Sequence, residues 1–162
     1  MPIDRVVINA SPLIVLFKSG QAELLPRLFN EIQIPQAVWE EVTATKNDIA
    51  AQQLPSISWA NPLEVTIHPA IAAWDLGAGE STVLSFALEN PDYRAMIDDA
   101  AARHCARALG IATFGTGGAI VLAKQRGLIE SVGDRLQQLR DAGLWLSEEV
   151  VSLLKQQAGE EV

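Results

Sequence analysis

The chain has 162 residues, the length of one ordinary domain, and its 49% apolar and 20% charged residues make a folded rather than a disordered composition. Its apolar runs, such as Leu13–Phe17, fall far short of the roughly 20 residues that span a bilayer, so no transmembrane helix is expected. The single cysteine, Cys105, excludes an internal disulfide framework and a cysteine zinc cluster, and a net charge of −8 disfavours coating nucleic acid through general basicity.

Arg5–Asn9 reads as a short buried strand of β-branched residues ending in a polar one. Ser11-Pro12 then predicts a helix start, Ser as N-cap and Pro at the first helical position, running through Lys18 to a stop at Gly20. A second helical stretch, Ala22–Phe29, is expected to break at Pro26, which has no amide hydrogen. Glu31–Ile34 reads as a strand, Pro35 opens a helix through Val42, and Asn47–Gln53 is a polar helical segment. Residues 54–76 are irregular, with a strand expected at Leu63–Ile67. Beyond them come a helix over Gly79–Glu89, a strand over Tyr93–Asp98, and a helix over Ala100–Leu109 closed by Gly110 in a left-handed cap. Ile111–Phe114 is a strand and Gly115–Gly118 a tight turn. Helices over Ala119–Arg126, Glu130–Asp141 and Ser147–Gln157 complete the pattern. Strands alternating with helices predict a three-layer α/β/α domain around a central, mostly parallel sheet. One domain over residues 1–162 is expected, its core at about 3–157, in a reducing, cytoplasmic setting without a signal peptide.

In such sheets ligands bind beyond the carboxyl ends of the strands. Three predicted strands end there in polar groups: Asn9 with Ser11, Asp98 with Asp99, and Thr116. Glu80 precedes Val83, Leu84 and Ala87 by three, four and seven residues, which puts its carboxylate on the apolar stripe of its helix. Glu41 shares a helix face with Ala37, Val38 and Val42. Carboxylates that gather without a counterion oppose one another's ionisation, and a divalent cation relieves this. Mg2+ and Mn2+ take oxygen ligands and can activate water toward a phosphoryl group. Glu41, Glu80, Asp98 and Asp99 are thus candidates for a metal-dependent phosphodiesterase site. The charge distribution permits a basic wall beside it: residues 94–140 carry seven basic and four acidic side chains, whereas residues 1–93 carry four and eleven.

The segments Val6–Ile14, Ile34–Val42, Leu76–Glu80, Ile97–Arg103, Gly115-Thr116 and Leu139–Ser147 together resemble a PIN domain of the kind found in VapC-type ribonuclease toxins, and more narrowly a prokaryotic branch of PIN-like proteins. The resemblance implies an acidic pocket that binds Mg2+ or Mn2+, endonucleolytic cleavage of RNA, a homodimer and, in toxin–antitoxin pairs, an inhibitory antitoxin protein. It places the metal-site positions on Asn9, Glu41, Glu80 and Asp98 or Asp99, with Ser11 and Thr116 as polar accessories. Asn9 departs from the family's usual first Asp. Asn keeps an oxygen acceptor but removes a negative charge, so metal affinity should fall.

Arg103 and Arg107, one helical turn apart, are the first choice for RNA phosphate contacts. Gly77-Ala78-Gly79 and Gly115–Gly118 lack the spacing of a nucleotide-binding loop. His68 and His104 have no ligand spacing, Cys105 has no activating base, and the four tryptophans read as core or interface anchors. The reading is a divalent-metal-dependent endoribonuclease. Its alternative is a catalytically impaired PIN-like module that binds RNA or a protein partner, and a small-molecule phosphatase is a third possibility.

Overall fold

The computed structural model describes residues 3–161. Five strands, β1 (Arg5–Ile8), β2 (Glu31–Pro35), β3 (Pro62–Leu63), β4 (Arg94–Met96) and β5 (Thr113–Phe114), pair in the order β3-β2-β1-β4-β5. Every pairing is parallel, so the expected mostly parallel sheet is wholly so. Val6 lies opposite Ile32 on one side and Arg94 on the other. A central parallel strand covered on both faces must be apolar on both, and Val6, Val7 and Ile8 are fully buried.

Among the described residues ten α-helices accompany the sheet: α1 (Ala10–Lys18), α2 (Leu24–Leu28), α3 (Gln36–Ala44), α4 (Ile49–Gln53), α5 (Pro69–Ala72), α6 (Ala78–Glu89), α7 (Ala100–Ala108), α8 (Thr116–Gln125), α9 (Val132–Asp141) and α10 (Glu148–Gln157). In one group α1, α3 and α4 pack together and α6 packs on α3. In the other α8, α9 and α10 pack together, with α2 against α8. The result is the expected three-layer α/β/α arrangement. From β1 the chain steps outward to β2 and β3, then returns to β4 on the opposite flank of β1. The strand order therefore reverses between β1 and β4, and the crevice beyond their carboxyl ends is the natural ligand position of an open α/β sheet.

Local readings depart from the structure at several places, among them a short helix, α5, inside the segment expected to be irregular. Helix α1 begins at Ala10, with extended Asn9 as its N-cap, so Ser11 and Pro12 lie inside the first turn. Pro26 does not break α2: it is the third residue of that helix, where an amide would lack a partner anyway. Only Pro62–Leu63 of the 62–67 segment pairs with the sheet, as an edge strand where the missing proline amide is tolerated. Gly115 is the extended N-cap of α8, and Thr116–Gly118 form the first turn of that helix rather than a separate turn. Gly110 closes α7 with φ +72°, as expected of a left-handed cap.

The glycine at position 117 has a tertiary reason. A Cβ on Gly117 would lie 2.6 Å from Leu154 Cδ1, so α10 seats a leucine directly on the first turn of α8. Glu160, just past α10, ties that end of the chain to the start of α9 by accepting hydrogen bonds from the Val132 and Gly133 amides at 2.6 and 3.1 Å. Its carboxyl is held below the ordinary value: burial opposes ionisation, but the two amides and the Lys124 ammonium outweigh it. Gly117→Ala should accordingly cost about 1 kcal/mol in the native chain through overpacking and become neutral or stabilising in a Leu154→Ala background. Urea denaturation of the four proteins measures that coupling.

Candidate active site

Asn9 follows the central strand directly, and its backbone amide donates to Met96 O at 3.0 Å, which locks it at the reversal point between β1 and β4. The residue is 1% exposed, and its side-chain Oδ1 is buried without a hydrogen-bond partner. Buried polar atoms are nearly always satisfied, and an orphaned acceptor at a strand end marks a place where a donor or cation belongs.

Helix α6 brings its first turn against that oxygen. The space where Gly79 lacks a side chain is bordered by Asn9 Oδ1 at 3.3 Å, Glu41 Oε2 at 3.4 Å and Val38 Cγ2 at 3.6 Å. Glu41 and Asn9 thus aim oxygens at the same small volume, which a Cβ at residue 79 would occupy. Glu80 turns back toward its own helix start, with Oε2 2.7 Å from the Cβ position of Gly77. Glu41 is exposed as a residue, yet desolvation of its carboxyl beside Asn9 and Gly79, and then the negative charge of Glu80, push that carboxyl above its ordinary value. The glycines of Gly77-Ala78-Gly79 are thus openings for carboxylates rather than a phosphate loop. The sequence signal for this was two glycines flanking one residue just before Glu80.

On the other side of the reversal point Asp98 is half-buried and bound twice by one residue. Its Oδ1 accepts the Thr116 amide at 2.8 Å and its Oδ2 accepts the Thr116 hydroxyl at 2.6 Å. Thr116 is fully buried, so the pairing both caps α8 and fixes the direction of the carboxylate. Asp98 Oδ1 and Arg103 Nη1 flank Gly115, at 2.8 and 3.1 Å from its Cβ position. Asp99 is exposed, and its Oδ2 accepts the Ala102 amide at 2.8 Å as the N-cap of α7. Ser11 is exposed in the first turn of α1 at the same sheet edge, and Arg107 is exposed in the last turn of α7.

The four acids do not crowd into one cup. Among the described residues no three His, Cys, Asp or Glu side chains converge closely enough to hold an ion. The physical reason is that Asp98 and Asp99 are engaged by helix termini, while Glu41 and Glu80 repel each other with no opposing charge between them. The oxygens that are free to accept a cation are those of Asn9, Glu41 and Glu80.

A family model described as a PIN domain (DUF3368) matches residues 5–160. The chain belongs to the PIN-domain family. No curated protein and no solved structure matches it. PIN domains are commonly nucleases and generally use divalent metals, and the residues of this PIN domain suit such an ion: an orphaned buried amide oxygen, a carboxylate beside it, and a second carboxylate whose charge reaches the first. No helix of the described residues is long and apolar enough to cross a membrane. A depression of about 360 Å³ lined by Phe17, Ile49 and Trp59 lies at the far end of α1, roughly 13 Å along the helix from Asn9, and has no part in this site.

The raised Glu41 carboxyl has a stability consequence. A carboxyl whose folded pKa is raised destabilises the fold where it is ionised, and the effect disappears below its unfolded value. In chelator at pH 7, Glu41→Gln should therefore raise stability by up to about 0.5 kcal/mol, a small gain because solvent screens the pair. Near pH 3.5 the difference should vanish. Thermal denaturation of both proteins at the two pH values measures it.

Proposed function

We propose that this PIN domain is a divalent-metal-dependent endoribonuclease that hydrolyses RNA phosphodiester bonds, toxin-like in kind. The observation that carries the reading is the partnerless Oδ1 of Asn9, buried beside Glu41 Oε2 over the open face of Gly79. Mg2+ or Mn2+ would be held by Asn9, Glu41 and Glu80, with Asp98 kept beside the site by Thr116 rather than ligating the ion. When bound, such an ion lowers the pKa of its water and polarises a phosphoryl oxygen.

The remaining work falls to the chain's own residues. Thr116 holds the Asp98 carboxylate by two hydrogen bonds, so its oxygens keep one direction as the substrate arrives. Arg103, half-buried beside Asp98 and Gly115, has no ion pair or side-chain hydrogen bond among the described residues. Its guanidinium is available to a phosphate oxygen, a geometry to which arginine is well suited. Arg107 extends that positive edge by one helical turn toward flanking phosphates. Ser11 lies beside the path of the strand, and Asp99 acts by fixing α7, and therefore Arg103, rather than by binding an ion. The protein works in the cytoplasm on this reading, as a homodimer restrained by an antitoxin protein.

A second reading is favoured by Asn9 itself, which supplies an oxygen but no charge where an acid would bind an ion more tightly. On it the protein is an impaired PIN-like module that retains RNA or a protein partner. Calorimetric titration with Mn2+, run beside an RNA cleavage assay, separates the two. The nuclease reading expects the native protein to bind Mn2+ and cut RNA, Asn9→Asp to bind roughly tenfold more tightly as one charge is restored, and Glu41→Gln to lose both properties. Binding and cleavage that arise only in Asn9→Asp establish the impaired module, and cleavage of a generic phosphomonoester in preference to RNA establishes a phosphatase.

A further inference from the structure

Trp74 and His104 lie far apart in the sequence, yet their rings meet edge to face with centroids 5.6 Å apart and planes at 71°. Trp74 belongs to the turn between α5 and α6. It is half-buried against the core, so one part of the indole is anchored while the rest reaches solvent. Asp75, next in the chain, has φ +55°, the one non-glycine residue with positive φ among those described. A left-handed aspartate costs free energy that a glycine would not, and such outliers persist where the surrounding structure imposes the conformation. Here the turn sets the indole against α7. His104 is exposed, follows Arg103 directly, and lies one helical turn before Arg107.

The pair thus spans the two sides of the site. Trp74 is three residues before Gly77, the glycine that makes room for Glu80, and His104 adjoins the arginine that flanks Asp98. Neither Arg103 nor Arg107 has an acidic partner within ion-pair distance among the described residues. An anchored aromatic ring with free cations beside it is the arrangement that takes up single-stranded nucleic acid: the ring stacks a base and the cations hold the backbone. Core packing accounts for the buried part of Trp74, but not for an exposed histidine in T-shaped contact with it next to two unpaired arginines.

We propose that Trp74, braced by His104, is a stacking platform for an unpaired RNA base adjacent to the bond that is cut, with Arg107 on the phosphate beside that base. The inference rests on the nuclease reading for the word "cut" but not for binding.

The test is fluorescence anisotropy of a labelled single-stranded oligoadenylate in EDTA at low ionic strength, so that no cleavage interferes. Trp74→Ala should weaken binding about tenfold, and Trp74→Phe should retain most of it. His104→Ala, at an exposed position that leaves the fold intact, should weaken binding about threefold through loss of the ring contact. An oligomer of the same length carrying abasic sugars should bind the native protein and Trp74→Ala alike. The proposal is overturned if Trp74→Ala and His104→Ala bind the oligoadenylate as the native protein does, Trp74→Ala merely melting earlier, since Trp74 then serves packing alone. It is overturned equally if the abasic oligomer loses as much affinity on Trp74→Ala as the oligoadenylate does. Trp74-dependent binding without cleavage in Mn2+ retains the platform and removes the nuclease; cleavage indifferent to Trp74 and His104 does the reverse.

Discussion

One buried oxygen constrains the rest of the site. The central strand of a parallel sheet leaves no room for water, and the first residue beyond it, Asn9, carries a polar side chain into that dry position with its backbone amide already bonded to Met96. An acceptor so placed must be satisfied or it destabilises the fold, by about 1–3 kcal/mol on the usual scale for a lost partner. Nothing among the described residues donates to it. What surrounds it instead is a second oxygen, from Glu41, and a glycine that leaves the volume between them open. Two acceptors facing one gap attract a cation.

The acidic residues around this point divide according to what helix termini demand. Parallel strands that each lead into a helix put several helix N-termini along one edge, and their free amides bind carboxylates whether or not a ligand is present. Asp99 is engaged entirely in this way. Asp98 is engaged too, yet through Thr116 it is also oriented, so the same bonds that stabilise α8 hold a carboxylate in place. Glu41, on a helix side, and Glu80, in the first turn of α6, have no such partners, and burial followed by the charge of Glu80 makes the Glu41 carboxyl resist ionisation. The site has therefore one half already tied down and one half whose charge is unbalanced. The C-terminal helix contributes at a distance: Leu154 on Gly117 and Glu160 on the start of α9 fix the turn that carries Thr116.

Much of this was legible in the residues alone. The β-branched run at Val6–Ile8, the alternation of strands and helices, and the spacing of Glu41 and Glu80 relative to their apolar neighbours lead directly to the sheet and to two glutamates at its edge. The misreadings arose where a distant contact outweighs a local signal. Ser11-Pro12 looks like a helix start, but the strand delivers Asn9 to the cap position two residues earlier. Gly115–Gly118 has turn chemistry, but Gly115 is an N-cap and Gly117 is a helical glycine that leaves the space Leu154 occupies. The strand expected at Leu63–Ile67 shrinks to two residues because β2 offers it pairing only at Ile34 and Pro35. Spacing along a helix likewise tells which face a carboxylate is on, but not that Asp98 and Asp99 are claimed by different helix termini. The pairing of Trp74 with His104 leaves no trace in the sequence, since 29 intervening residues must fold before the two rings meet.

The account turns on whether the gap between Asn9 and Glu41 receives a cation. Anomalous diffraction from crystals soaked in Mn2+ addresses it without recourse to any substrate. A peak in direct coordination with Asn9 Oδ1 and the Glu41 carboxylate is the expected result. A manganese-soaked crystal with no peak there, or with Asn9 Oδ1 satisfied by an ordered water and the metal bound elsewhere on the surface, contradicts it.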